Sequence, residues 1–164
     1  MPVSAEVSLS TPSATPATFL TEAMRRQALG RESPPVRMEV EKGAIIKFAQ
    51  AIGDDNPLFN DEAAARKSCL GGLIAPPTFL RILGQIRPEI PFDLPFHRVL
   101  DGGSDWEYFQ PVRPGDRITA VAAITDLRER TGRLGLMVIS TIVTTYSNQF
   151  DEVVATQTNA TIWY

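Results

Sequence analysis

The loop Asp54-Asp55-Asn56-Pro57 gathers two carboxylates and a carboxamide into four residues, a group able to hold a water molecule or pass a proton. Proton transfer near neutral pH is normally shared with an imidazole. The one histidine, His97, lies well along the chain in Pro95-Phe96-His97-Arg98. Asp54 therefore has two readings, a catalytic acid or a turn residue whose carboxylate accepts nearby backbone amides. Asn56 has a matching pair: it steadies a substrate or partner loop, or it shapes the turn ahead of Pro57. His97 alone builds no histidine-based metal site, and no cysteine or carboxylate cluster with zinc-like spacing accompanies it. No metal is expected, and His97 reads as a surface or partner-contact residue. The single Cys69 cannot close an internal disulfide. Its neighbours Arg66 and Lys67 would favour a thiolate, but an ordinary cytosolic thiol is the simpler reading.

The elements that must carry these groups follow from the apolar pattern. With 164 residues, 43% of them hydrophobic, the chain suits one domain with a substantial core. A net charge of −3 leaves no electrostatic footprint for nucleic acid or an anionic membrane. The chain has neither a run of eighteen apolar residues nor the start of a secretory signal, so a soluble cytoplasmic protein is expected. Residues 1–16, rich in Ser, Thr, Pro and Ala, read as a flexible tail, and residues 17–164 as the domain.

Within that domain, Ala17–Leu29 has helical spacing and stops at Gly30. Val36–Val40 alternates as a strand, and Glu41–Ile52 places Ile45, Phe48, Ala49 and Ile52 on one helical face. Asp61 is a candidate cap for a short helix starting at Glu62. Pro76-Pro77 suits a helix entrance, and Phe79, Leu80, Ile82, Leu83 and Ile86 give that helix a wide apolar arc that asks to be buried. Gly103–Gln110, Asp116–Arg128, Arg133–Tyr146 and Val153–Trp163 read as strands of an antiparallel sheet. Helices segregated ahead of strands give the α+β class, a sheet wrapped around a central helix.

The stretch Phe48-Ala-Gln-Ala-Ile-Gly-Asp-Asp-Asn-Pro-Leu-Phe-Asn-Asp61, followed by Gly71-Gly-Leu-Ile-Ala-Pro-Pro-Thr-Phe79, resembles the MaoC-like hydratase family, and more closely its FAS1-like dehydratase N-terminal branch. Trp106-Glu-Tyr-Phe-Gln-Pro-Val-Arg-Pro-Gly-Asp116 is similar to a strand and turn of the same family, so the resemblance covers about residues 36–164. It implies a hot-dog fold, dimers or paired domains, and (R)-specific hydration or dehydration of acyl thioesters on coenzyme A or acyl carrier protein, as in fatty acid or polyketide metabolism. No cofactor is implied beyond that thioester substrate.

Matched residue by residue, the family's catalytic Asp falls on Asp54, its Asn-Pro-Leu on Asn56, Pro57 and Leu58, and its His on Phe59, which carries no proton. The family's His-Gly pair, whose glycine N–H steadies the thioester carbonyl, falls on Pro76-Pro77. Proline has no N–H, leaving the amides of Thr78 and Phe79 at the helix start. Loss of an acid/base group removes ~10²–10⁴-fold in rate, and loss of an oxyanion donor a further ~10²–10³-fold. The resemblance therefore implies the substrate-shaping half of a lyase whose second hot-dog subunit carries the catalytic Asp and His. With the chain ending at Tyr164 directly after its last strand, that partner is expected to be a separate protein. A homodimer with a site rearranged around Asp54, or a non-enzymatic acyl-thioester binding module, are the alternatives. Substrate contacts are expected from Phe59, Gly72, Pro77, Thr78, Phe79 and Ile82. Arg113 and Arg117 either meet the carrier's phosphates or are simply solvated.

Overall fold

The computed structural model describes residues 18–133 and 135–164. The tail expected over residues 1–16, and Ala17, lie outside them. The chain opens with α1 (Glu22–Ala28), whose first turn is capped by Thr21: its Oγ1 accepts from the Met24 amide at 3.2 Å. That cap explains why the helix starts later than its apolar spacing suggests. Phe19 and Leu20, just ahead of the cap, each donate a backbone N–H to the Glu129 carboxylate, at 2.7 and 2.8 Å.

After α1 come β1 (Val36–Glu39), α2 (Lys42–Ala51), the short helices α3 (Pro57–Asn60) and α4 (Glu62–Arg66), and a 3₁₀ helix, Pro77–Leu83. Four long strands follow: β2 (Val99–Tyr108), β3 (Arg117–Gly132), β4 (Gly135–Ser147) and β5 (Val153–Trp163). They form one antiparallel sheet in the order β1-β3-β4-β5-β2, so β1 and β2 are its edges. Alternation along β3 sends Ile118, Ala120, Ala122 and Ile124 inward, as the period of a half-buried strand requires.

Two apolar clusters cover that inner face. One joins Ile45 of α2, Phe79 and Leu80 of the 3₁₀ helix, and Ile118, Tyr146 and Val154 of the sheet. The other joins Leu20 and Ala28 to Ile124, Leu127, Val138 and Ile142, and Ile86 packs against both. Tyr146 carries the largest fully buried side chain. Its ring stacks on Trp106 at 5.4 Å, and burial pushes its phenol up to about 12.

Two sequence readings are corrected. The helix expected after Pro76-Pro77 through Ile86 is a seven-residue 3₁₀ helix that stops at Leu83, where Gly84, at φ 77° and ψ −160°, takes the chain out of helical geometry. It is also not apolar-buried throughout, since Phe79 is 1% and Leu80 2% exposed whereas Ile82 is 45% exposed. The other correction concerns β2, which begins at Val99 rather than Gly103. Its first residues pair with β5 as Val99↔Trp163, Leu100↔Ile162 and Asp101↔Thr161, and a bulge then shifts the register to Ser104↔Asn159. Gly103, at φ 103°, makes the bulge, and the Asn159 Nδ2 pins it by donating to Asp101 Oδ1, Gly103 O and Ser104 Oγ at 3.0–3.1 Å.

These packing differences set unequal costs for neighbouring residues of one segment. Phe79→Ala is expected to destabilise the fold by about 3–5 kcal/mol, and Ile82→Ala by less than about 1 kcal/mol. Urea denaturation of the two variants measures both; equal losses would contradict the packing described.

Candidate apolar acyl site

The loop between α2 and α3 is held by its own polar side chains. Gly53, at φ 70°, turns the chain, and the Asp54 amide donates to Ala49 O at 2.9 Å. The Asp54 carboxylate accepts from the Asn56 amide at 3.0 Å, and the Asn56 side chain accepts from the Leu58 amide at 3.0 Å, capping α3. Asn60 closes the loop, donating from Nδ2 to Asp54 O and Asn56 O at 2.8 and 3.0 Å. Asp54 and Asn56 thus act as turn and cap residues. Asp61 caps α4 as its position suggests, Oδ1 accepting from the Ala63 and Ala64 amides.

Just past this loop, α3 presents Leu58 and Phe59 to a cavity of about 300 Å³ whose other walls include Ile74, Pro76, Pro77, Tyr108 and Phe109. The volume lies at the lower end of the range for small-molecule sites. The cavity exists because the segment ahead of the 3₁₀ helix is stapled on both sides: Ile74 N donates to Leu58 O at 3.1 Å and Ala75 N to Val112 O at 2.8 Å. Its floor is Phe79 and Leu80. Phe59 is 6% exposed, its ring buried among apolar neighbours.

Of the residues expected to touch substrate, Phe59, Pro77 and Phe79 line this cavity; Gly72, Thr78 and Ile82 do not, nor do Asp54 and Asn56. Gly72 instead lies near the Arg113 guanidinium: a Cβ built on it would stand 3.9 Å from Nη1. The two amides expected at the helix start are not equivalent. Phe79 N donates to Pro76 O at 2.9 Å, spent on the tight 3₁₀ turn, whereas Thr78 N has no partner among the described residues. Tyr108 and Phe109 also line the cavity, outside the set the sequence points to. Their only sequence signal is two adjacent aromatics at a strand end, both exposed here at 46% and 57%.

Among the described residues no histidine, cysteine, lysine or carboxylate lines the cavity, and the one titratable group there is Tyr108, whose phenol burial pushes up. His97 and Cys69 are exposed and lie off the cavity. Chemically, the site is able to enclose an apolar chain and exclude water from it, and it holds no group that trades protons near neutral pH. A second, smaller cleft of about 30 Å³ lies between Arg81, Arg87, Asp101, Gln157 and Asn159, with room for little more than water. There the Gly103 amide and the Asn159 side chain, helped by Arg81 and Arg87 at longer range, hold the Asp101 carboxyl below its ordinary range. Among the described residues no cluster of three His, Cys, Asp or Glu side chains could hold a metal ion, and no helix is long and apolar enough to cross a membrane.

Residues 27–157 match the family described as FAS1-like, dehydratase domain region. A UPF0336 protein of Thermobifida fusca is 38% identical over 129 residues, covering 75% of this chain and 85% of that one. Among solved structures, a MaoC-like dehydratase from Rhodospirillum rubrum is 28% identical with a TM-score of 0.68, covering 84% of this chain and 92% of that one. A C-terminally truncated HadBC (3R-hydroxyacyl-ACP dehydratase) complex from Mycobacterium tuberculosis contains a chain with the same fold, 23% identical with a TM-score of 0.67, covering 82% of this chain and 96% of that one.

The capping role of Asn56 has a measurable consequence. Asn56→Ala is expected to lower stability by about 1 kcal/mol through loss of the α3 cap. Thermal or urea unfolding measures it, and an unchanged midpoint would contradict the capping role.

Proposed function

This chain belongs to the FAS1-like dehydratase domain family, with the hot-dog fold of the MaoC-like hydratases and dehydratases, and on that footing we propose that it is the substrate-shaping subunit of a heteromeric (R)-specific enoyl-thioester hydratase or 3-hydroxyacyl-thioester dehydratase. The observation that carries the reading is Phe59. It occupies the position matched to the family's catalytic histidine, and its ring is buried in an apolar cavity that, among the described residues, holds no proton carrier beyond the Tyr108 phenol.

Hydration of an enoyl thioester adds hydroxide to the β carbon and a proton to the α carbon. A base must take a proton from water, an acid must deliver one to carbon, and hydrogen-bond donors must steady the charge that develops on the thioester oxygen. This chain supplies apolar walls for the acyl group, and the Thr78 amide, off the cavity lining, has no partner among the described residues. A partner hot-dog subunit supplies the acid/base pair. Support for such pairing comes from the related fold in HadBC, a 3R-hydroxyacyl-ACP dehydratase complex. The state of Asp54 also supports it over a site rebuilt on that residue, since its carboxylate is engaged by the Asn56 amide and lies off the cavity.

The reading is tested by turnover of crotonyl-CoA. The purified chain alone is expected to show none above background, and its mixture with a MaoC-like subunit that carries the Asp and His is expected to turn over at rates typical of the family. Turnover by the chain alone that disappears in Asp54→Ala would overturn the proposal. So would binding of acyl-CoA with no turnover in the presence of any such subunit, which would leave a binding module.

A further inference from the structure

The small cleft beside Arg81 holds polar groups that are not matched to one another. It opens where the 3₁₀ helix ends, with Arg81 and residues 84–87 on one side and Asp101, Ile142, Thr144, Gln157 and Asn159 of the inner sheet face on the other. It shares no lining residue with the apolar cavity. Along β2, Asp101 lines the cleft and Tyr108 the cavity, and Trp106 lies between them, stacked on Tyr108 at 5.8 Å and on Tyr146 at 5.4 Å.

Hydrogen bonds within the sheet use up most of the cleft's acceptors. Tyr146 Oη donates to Gln157 Oε1 at 3.1 Å, and Thr161 Oγ1 donates to Asn159 Oδ1 at 3.1 Å. Asp101 Oδ1 accepts from the Gly103 amide at 2.9 Å and from Asn159 Nδ2 at 3.0 Å. Gln157 Nε2 spends one N–H on Ser104 Oγ, at 2.9 Å, and keeps the other. With it remain the Thr144 hydroxyl and the guanidiniums of Arg81 and Arg87, neither of which has an ion-pair partner among the described residues. The Gly103 amide and Asn159 hold the Asp101 carboxyl low, and the two arginines add to this from longer range without closing an ion pair with it. Two guanidiniums against one carboxylate leave the lining with a surplus of positive charge. In the cross-strand row that runs from Asp101 through Thr161 to Ser140, the Ser140 hydroxyl is fully buried with no partner, so this half of the inner face is not satisfied by the chain's own groups.

We infer that this cleft is a binding site for a carboxylate group. An ionised carboxylate only accepts hydrogen bonds, which the surplus donors need, and its planar edge matches the fork of a guanidinium. Size makes the same choice. A space of about 30 Å³ holds about two water-sized groups, the pair of oxygens of a carboxylate, and is too small for a tetrahedral phosphate. The group belongs either to a free small acid or to the far end of an acyl chain that carries one. The site is independent of the two-subunit reading above.

Acetate is the simplest probe. The isotope-labelled chain is titrated with sodium acetate, sodium chloride holding the ionic strength fixed, and amide shifts are followed by NMR. Saturable shifts are expected at Gly103, Gln157 and Asn159, with affinity falling at least about ten-fold in the double variant Arg81→Gln, Arg87→Gln. Inorganic phosphate is expected to bind the unaltered chain at least about ten-fold more weakly than acetate, a comparison that does not depend on the folding of any variant. Absence of saturable shifts with acetate, binding that persists in a folded double variant, or phosphate binding as tight as acetate would overturn the inference. Adipyl-CoA compared with hexanoyl-CoA then identifies the source. Tighter binding of adipyl-CoA that the double variant abolishes gives the carboxylate to an acyl chain, whereas equal affinities, with acetate still bound, give it to a free acid.

Discussion

The packing of Phe79 is the contact on which the rest of the site depends. Its ring meets Phe48 of α2 edge-on at 5.5 Å and is buried with Ile118, Tyr146 and Val154 of the sheet, so one side chain ties the helical layer to the strands. Burial of such a ring is worth about 1.5–3 kcal/mol. It anchors the 3₁₀ helix at its entrance, where Pro76 and Pro77 contribute no backbone N–H. With that helix in place, the preceding segment can bridge Leu58 and Val112 through Ile74 and Ala75, and the apolar cavity follows as the space between the bridged elements.

The same packing accounts for the chemistry the chain can and cannot do. An apolar cavity favours a chain of methylenes and disfavours any charged intermediate of proton transfer. A histidine at position 59 would need a hydrogen-bond partner once buried, and the Asp54 carboxylate of the adjoining loop already accepts from the Asn56 amide. Phe59 asks for no partner and adds apolar surface. On the function proposed above, a phenylalanine in place of a titratable ring also adds apolar surface, as a division of labour between two subunits would require.

Much of this was legible in the amino-acid sequence, and the exceptions have identifiable causes. β5 begins and ends where its alternation and the flanking Ser147-Asn148 turn place it, and Asp61 caps α4 as its spacing to Glu62 requires. The family resemblance rested on the motifs around Asn56 and Pro76, and the fold and the matched family agree with it. Apolar spacing carries the helix after Pro76-Pro77 on to Ile86 and does not separate 3₁₀ from α geometry, whereas Gly84 ends it at Leu83 through its backbone angles. The start of β2 was hidden by Gly102-Gly103, which looks like a breaker in sequence but is a bulge inside a strand. The cavity residues Tyr108 and Phe109 meet Leu58 and Ile74 only through tertiary structure, beyond the reach of any local pattern.

The central claim is that the cavity is a receptor for an apolar acyl chain. Calorimetric dissociation constants for saturated acyl-CoA thioesters of increasing chain length test it most directly. Affinity is expected to rise by up to about 0.8 kcal/mol per added methylene until the cavity is full, and to lose that dependence in a Leu58→Asp variant. Affinity that does not change with chain length, or a chain-length dependence that survives in Leu58→Asp, would contradict the account.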